Sequence, residues 1–308
     1  MPNLKGDMPM GNLIIEPYIP ERDKASIIAM LCENERVNVF QQSDKMLSDA
    51  IFVARYNDVT VAFLSFDGFR RRAMTTIFVS KEYRRMGIGA ALMAKADGML
   101  SKNAAVERSI GVCKDGDRCS LQFLYKHGYY TSYSSFIMER EGVPLPESNI
   151  SVRQYEDDDY VICHNIWEIA FYQMHERVGI LPSYYYPPNE TERKRFAEDR
   201  NNRFVMLIDD KIAAVGIIDG SELSHVSVRP DLQSRGYGRA FVSFLINEII
   251  RRGGEIVTLG VVKGNPAINL YKSLGFKEKS LNHLVTKYYK PDTRLSRPPS
   301  DLLTGTIQ

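Results

Sequence analysis

The chain has 308 residues, 44% hydrophobic and 25% charged, with 40 basic against 38 acidic side chains and a net charge of +2. That composition belongs to a folded globular protein of about two domains at ~100–200 residues each, and its bulk charge asks for neither nucleic acid nor a membrane surface. No apolar run approaches the ~20 residues of a membrane span, the first residues lack the layout of a signal peptide, and the four cysteines (Cys32, Cys113, Cys119, Cys163) form no Cys-x-x-Cys pair. The expected setting is cytoplasmic, with reduced, mostly buried thiols.

In chain order, Leu13–Tyr18 reads as a strand and Glu21–Cys32 as a helix. Strands are expected at Ala50–Tyr56, Thr60–Phe66 and Ala73–Val79, with turns at Asn57-Asp58 and Asp67-Gly68. The stretch Ile77-Phe78-Val79-Ser80-Lys81-Glu82-Tyr83-Arg84-Arg85-Met86-Gly87-Ile88-Gly89 then runs from strand through turn into a helix. Ile88, Ala91, Leu92, Met99 and Leu100 supply that helix's apolar side. A strand near Ile110–Cys113, a short helix and a terminal strand pair to about Glu139 follow. Arg140–Ser151, with Gly142, Pro144 and Pro146, reads as a linker.

The second half repeats this order. Ile150–Arg153 is a strand, Asp158–Arg177 a helix, and Arg203–Asp209, Lys211–Ile218 and Leu223–Val228 are strands. Val226-Ser227-Val228-Arg229-Pro230-Asp231-Leu232-Gln233-Ser234-Arg235-Gly236-Tyr237-Gly238 has the layout of the earlier stretch, with Pro230 stopping the strand. Tyr237, Ala240, Phe241, Phe244, Leu245 and Ile249 fall at helical spacing. A strand at Ile256–Val262, a helix at Pro266–Leu274 and strands to about Tyr289 complete the half. Pro291–Gln308 is a loose tail or a packing arm.

A repeat this long is a duplicated domain rather than a solenoid. The expected division is 1–141, a linker at 142–150, 151–290 and a tail at 291–308. The fold class is α+β: two consecutive domains, each a mixed, mostly antiparallel sheet flanked by helices.

Each glycine pair sits where a helix's first N–H groups have no intrahelical partner. Without a Cβ at Gly236 or Gly238, a phosphate can approach those N–H groups and the positive helix end, with Arg235 and Arg239 beside it. The pattern lacks the third glycine of a dinucleotide fingerprint and the Gly-Lys-Ser/Thr of a P-loop. The string Val-x-Pro-x-x-Gln-x-x-Gly-x-Gly closely resembles the coenzyme A pyrophosphate motif of the GNAT superfamily of acyl-CoA-dependent N-acyltransferases. Gln233, Gly236 and Gly238 match it, and Arg84, Gly87 and Gly89 match it again. The length and layout are similar to mycothiol synthase-like two-domain members.

The resemblance implies acetyl-CoA as cosubstrate. In the second half it would touch Val226, Val228, Gln233, Ser234, Arg235, Gly236, Tyr237, Gly238 and Asn265; the counterparts in the first are Val79, Arg84, Arg85, Gly87, Ile88 and Gly89. Asn265 to Phe276 resembles the family's Asn-x-x-Ala-x-x-Leu-Tyr-x-x-x-Gly-Phe pattern, which implies Tyr271 as general acid on the leaving thiolate. Glu222, six residues before Val228, is the implied base, with His225 as the second candidate. A backbone N–H beside a bulged strand would serve the oxyanion.

The first half departs from the pattern. Ala73 stands at the base position, no asparagine matches Asn265, and Tyr125 lies three residues before Gly128 where the pattern wants four. That offset is about 100° of helix rotation. Coenzyme A binding without catalysis is the expectation there.

Arg70-Arg71-Arg72 reads as a solvated strand end and Glu156-Asp157-Asp158-Asp159 as helix-start carboxylates. Trp167 and Phe171 read as a helix's core face, and Tyr184-Tyr185-Tyr186-Pro187-Pro188 as a pocket loop. The five histidines make no metal-ligand spacing. The reading is an acetyl-CoA-dependent N-acetyltransferase acting on a small-molecule amine by direct attack, as monomer or homodimer, with no nucleic-acid or membrane partner. Its alternatives are an acyl-CoA sensor without turnover and an enzyme on protein or peptide amines, as in the ribosomal-protein acetyltransferases.

Overall fold

The computed structural model describes residues 13–32, 51–66, 71–181, 183–290 and 297–303. Ala50, the Asp67-Gly68 turn, Arg70 and residues 291–296 and 304–308 of the expected tail lie outside the described residues. The chain forms two compact units. Unit 1 takes its described residues from 13–113, 117–131 and 284–290, and unit 2 from 114–116, 132–283 and 297–303.

Unit 1 holds β1 (Leu13–Pro17), α1 (Pro20–Cys32), β2 (Ile51–Tyr56), β3 (Val59–Phe66), β4 (Arg72–Val79), α2 (Ile88–Leu100), β5 (Arg108–Lys114) and α3 (Arg118–Lys126), together with the second half of β12 (Lys277–Tyr288). Its sheet runs β1-β2-β3-β4-β5-β12. The pairs from β1 to β4 are antiparallel, and β4 and β5 are parallel. Side chains alternate across the strands. Phe63 and Phe78 meet Ile27 and Leu31 of α1 on one face, while Leu64 and Ala73 meet Leu92, Ala96 and Leu100 of α2 on the other.

Unit 2 holds most of β6 (Tyr130–Glu141), then β7 (Ser151–Gln154), α4 (Tyr160–Val178), α5 (Glu190–Glu198), β8 (Arg203–Ile208), β9 (Lys211–Asp219), β10 (Glu222–Val228), α6 (Tyr237–Arg251), β11 (Ile256–Val262), α7 (Ala267–Ser273), the first half of β12, and α8 (Ser300–Leu303). The sheet order is β6-β11-β10-β9-β8-β7. Only β10 and β11 pair in parallel among its registered neighbours. Phe241, Leu245, Ile246 and Ile249 of α6 pack on Leu223, Val257 and Leu259, and Cys163 and Ile166 of α4 pack on Val205, Ile212 and Val215. Gly216 lets α6 approach β9: a Cβ there would lie 2.8 Å from Leu245 Cδ1.

These units differ from the expected division at 141 and 151. Residues 132–141 join unit 2, where β6 pairs with β11 from Ser135–Val262 to Glu141–Ile256. Residues 284–290 join unit 1, where Val285 is wholly buried against Met93 and Tyr129. There Lys287 Nζ bonds both Asp97 oxygens at 2.8 Å, Tyr289 donates its hydroxyl to Asp97, and Tyr289 N donates to Glu107 O. The two terminal strands have equal length, and strand pairing is a non-local choice that composition does not encode. The linker is ordered too: Asn247 bonds both backbone groups of Leu145 at 2.8 Å.

Two elements fall outside the sequence expectations. α5 occupies a polar stretch, capped by Asn189, whose side chain accepts from Glu192 N. α8 lies in the expected tail and packs Leu302 and Leu303 against Ile169, Tyr172 and Tyr185. Cys113 and Cys163 are buried and Cys119 is exposed.

Candidate active site

The glycine motifs adopt one backbone shape in both units. Gly236 caps α6 at φ +88° and Gly87 caps α2 at φ +83°, each preceded at two residues by a second left-handed residue, Ser234 at +61° and Arg85 at +66°. Gln233 donates its side-chain amide to Val228 O at 3.1 Å, and Arg84 Nε donates to Val79 O at 2.9 Å. The motif's Gln/Arg thus ties the turn back to the strand that feeds it. A Cβ on Gly236 or Gly87 meets nothing within 4 Å. Ala240 N to Gly236 O is the first helical bond, so the N–H groups ahead of it face the open turn. This arrangement fits a diphosphate. Ile88 is buried in the core, which leaves its N–H as the part that faces the turn.

The strand leading to the turn differs between the units. In unit 2 the parallel ladder of β10 and β11 consists of Glu222–Thr258 and Leu223–Leu259, after which the strands run on to Val228 and Val262 without pairing. At the parting, β10 also bulges away from β9: three steps from Ser224 to Ser227 match two from Ile217 to Val215. His225 takes up the extra residue at φ +52°. A bulge turns a backbone N–H out of the ladder, which is what an oxyanion donor requires. In unit 1 β4 pairs with β5 over Arg72–Met74 and parts from it in the same way, but its register with β3 is unbroken from Thr75 to Val79.

Tyr271 is half-buried on α7, its ring edge-on to Phe276 at 5.9 Å. Burial pushes its hydroxyl pKa up to about 12, so it carries its proton throughout the working range. The neighbouring Leu270 lies 3.8 Å from the Cβ position of Gly238, and Val228 lies 3.6 Å from it, which sets α7 against the cradle and the end of β10. Asn265 accepts from Ala267 N at 3.0 Å and so opens α7. In unit 1 Leu124 stands four residues before Gly128, while Tyr125 is 47% exposed and its hydroxyl bonds Thr131 Oγ1 at 2.7 Å. Phe123 approaches the Cβ position of Gly89 to 3.4 Å.

Glu222 is exposed at the β9–β10 hairpin, its pKa raised by partial burial of the carboxylate and then by Asp219. His225 projects toward α4, with its ring 4.8 Å from Trp167 and 5.8 Å from Phe171. These two aromatic residues therefore frame the bulge as well as packing the helix, a role their spacing of four did not distinguish. The tyrosine-proline loop is pinned along α4 instead of standing free. His164 Nε2 donates to Tyr186 O, Tyr185 donates to Asn165, and Tyr186 N donates to Glu168. Tyr185 is 6% exposed and belongs to the core. Glu168 is a half-buried carboxylate on α4 that sequence reading missed; burial pushes its pKa up to about 7, against the lowering effect of the Tyr186 N–H. Glu156 and Asp159 form a reciprocal cap ahead of α4, and Arg71 pairs with Glu107 at 2.6 Å.

Among the described residues no helix is long and apolar enough to cross a membrane, and no group of three or more His, Cys, Asp and Glu side chains is placed to hold a metal.

Residues 20–129 match the model of the acetyltransferase (GNAT) family, and residues 210–285 match that of FR47-like proteins. The chain is 35% identical over 132 residues to the [ribosomal protein bS18]-alanine N-acetyltransferase of Escherichia coli, a span of 40% of this chain and 81% of that enzyme. The enzyme of the same name from Salmonella typhimurium is 38% identical over 120 residues, 36% of this chain and 76% of its own. In fold, a GCN5-related N-acetyltransferase from Sphaerobacter thermophilus superposes with a TM-score of 0.70 at 19% identity, covering 91% of this chain and 96% of its own. A tandem GNAT protein from the clavulanic acid biosynthesis pathway gives 0.62 at 16%, covering 91% and 100%. With the cradle, the parted strands and these likenesses together, the chain belongs to the GNAT family of acetyl-CoA-dependent acyltransferases.

Proposed function

We propose that unit 2 transfers the acetyl group of acetyl-CoA to the amine of a peptide or protein by direct attack. One observation carries the assignment to unit 2: the open cradle, the parted strands, the bulge at Ser224–Ser227 and Tyr271 occur together there, while unit 1 has the cradle and parted strands alone. The backbone of Gln233–Gly238 would hold the diphosphate and Val226–Val228 the pantetheine arm. Glu222, directly or through a water, takes the proton that the attacking amine must lose, with His225 as the alternative base. The N–H turned out by the bulge stabilises the oxyanion, and Tyr271 gives its proton to the departing sulfur. Unit 1, with Ala73 and Leu124 at the positions of Glu222 and Tyr271, binds coenzyme A through Val79, Arg84, Arg85 and Gly87–Gly89 without turning it over.

Two findings support a peptide amine as acceptor. The similar bacterial enzymes are named for an alanine of ribosomal protein bS18, and the tyrosine loop that would close a small pocket is pinned to α4. The narrow frame of Trp167, His225 and Phe171 favours a small-molecule amine as the second reading. Thiol release from acetyl-CoA should be measured with an alanine-initiated peptide, free amino acids, aminoglycosides and polyamines. The peptide should turn over fastest. Turnover confined to small amines would select the second reading, and bound acetyl-CoA with no turnover on any amine would select a sensor.

A further inference from the structure

Beside the bulge, unit 2 contains a small cavity of about 20 Å³ that opens to solvent, room for a single oxygen-sized group, lined by Tyr155, Cys163, Trp167, Phe196, Arg203 and His225 among others. Aromatic rings make its walls. Tyr155 is 4% exposed and its ring lies edge-on to Phe196, and the Arg203 guanidinium covers the other ring at 3.8 Å from the Phe196 centroid. Among the described residues, neither the Tyr155 hydroxyl nor Arg203 Nε has a hydrogen-bond partner, although both are buried. Arg203 reaches Asp199 only through its terminal nitrogen, at 3.6 Å. A buried donor left unpaired costs about 1–3 kcal/mol, and an acceptor that reaches either group would remove that cost.

Tyr155 and Arg203 both present donors at this end. The Tyr155 hydroxyl and the Cys163 thiol are both held protonated by burial, and Arg203 has no lone pair to offer. An ammonium group would be repelled by the Arg203 cation. An oxygen with lone pairs would satisfy both the hydroxyl and Nε–H.

We propose that this cavity receives a carbonyl or carboxylate oxygen of the acceptor, donated to by Tyr155 and Arg203, so that the substrate class is an amine carrying such an oxygen, as an amino acid or a peptide terminus does. The inference rests on the reading of unit 2 as the transferase and of the His225 side as the acceptor side. Tyr155 and Arg203 act as specificity residues. They bind the acceptor's oxygen and leave the acyl-transfer chemistry to other groups.

The test uses the full chain with alaninamide and isopropylamine, which differ by a carboxamide in place of a methyl group. The wild-type ratio of kcat/KM for alaninamide over isopropylamine should fall at least about tenfold in Tyr155→Phe, through KM for alaninamide, because a site built to hydrogen-bond a substrate loses discrimination with its donor. Arg203→Lys, which keeps the charge and removes Nε–H, should lower the same ratio. Equal effects on the two amines, or no effect on either, would overturn the proposal. If neither amine turns over, the transferase reading falls, and calorimetric titration of alaninamide then decides the cavity. Weaker binding to Tyr155→Phe than to wild type supports it; equal or absent binding overturns it. The melting temperature of each variant reports whether the fold is kept.

Discussion

Tyr271→Phe should lower kcat for acetyl transfer by about 100-fold, the low end of the 10²–10⁴ that a positioned general acid supplies, or about 2.7 kcal/mol of barrier. The substitution keeps the ring that packs edge-on to Phe276, so the melting temperature should not move. Among the described residues the hydroxyl has no protein partner, and its removal leaves no buried group unpaired. With its pKa near 12 the hydroxyl stays protonated from pH 6 to 9, so the loss should be the same factor across that range. The acid limb of the rate profile belongs to the amine and its base. Raised above the ordinary carboxylate value, Glu222 protonates earlier as the pH falls than a free glutamate would. Steady-state thiol release against pH checks both points, and a Tyr271→Phe enzyme of wild-type rate would remove the phenol from the chemistry.

Val285→Asp should unsettle unit 1, although residue 285 lies in the last strand of the chain. Val285 has no exposed surface and packs on Met93 and Tyr129. A carboxylate placed there loses its solvation without gaining a partner, and losses of this kind exceed about 3 kcal/mol, a large part of the ~5–15 kcal/mol that holds a domain folded. Amide hydrogen exchange should quicken in Ile88–Leu100 and Arg108–Cys113 while Tyr237–Arg251 keeps its protection. Protection lost in Tyr237–Arg251 instead would mean that residues 284–290 stabilise unit 2.

What was legible in the sequence was what local chemistry determines. Gly236 and Gly87 sit at positive φ, where only glycine is at ease, and the tie from Gln233 or Arg84 to the strand carbonyl needs that residue type at that spacing. Periodicity found the helices that carry a continuous apolar stripe, and missed Glu190–Glu198, which buries Phe196 alone. The position of the bulge was not legible, because its extra residue is a histidine in a left-handed conformation rather than a glycine. Nor was the exchange of residues 132–141 and 284–290, since two strands of equal length do not announce which sheet each will join. Trp167 and Phe171 satisfied a core reading, and their meeting with His225 depends on how α4 lies across β10. The two unpaired donors of Tyr155 and Arg203 are likewise products of packing between residues 48 positions apart.

The central claim is that one unit of the pair carries the transfer, and matched substitutions of the two cap glycines test it most directly. Alanine at either position meets no neighbour within 4 Å, and holding alanine in the left-handed conformation costs about 1–2 kcal/mol in each case. The two changes therefore perturb their turns equally and differ in which cradle they disturb. With thiol release from acetyl-CoA as the readout, Gly236→Ala should raise KM for acetyl-CoA by about tenfold or more, the equivalent of roughly 1.4 kcal/mol of lost binding, while Gly87→Ala stays near wild type. A loss in Gly87→Ala equal to or greater than that in Gly236→Ala would contradict the account and place the chemistry in unit 1.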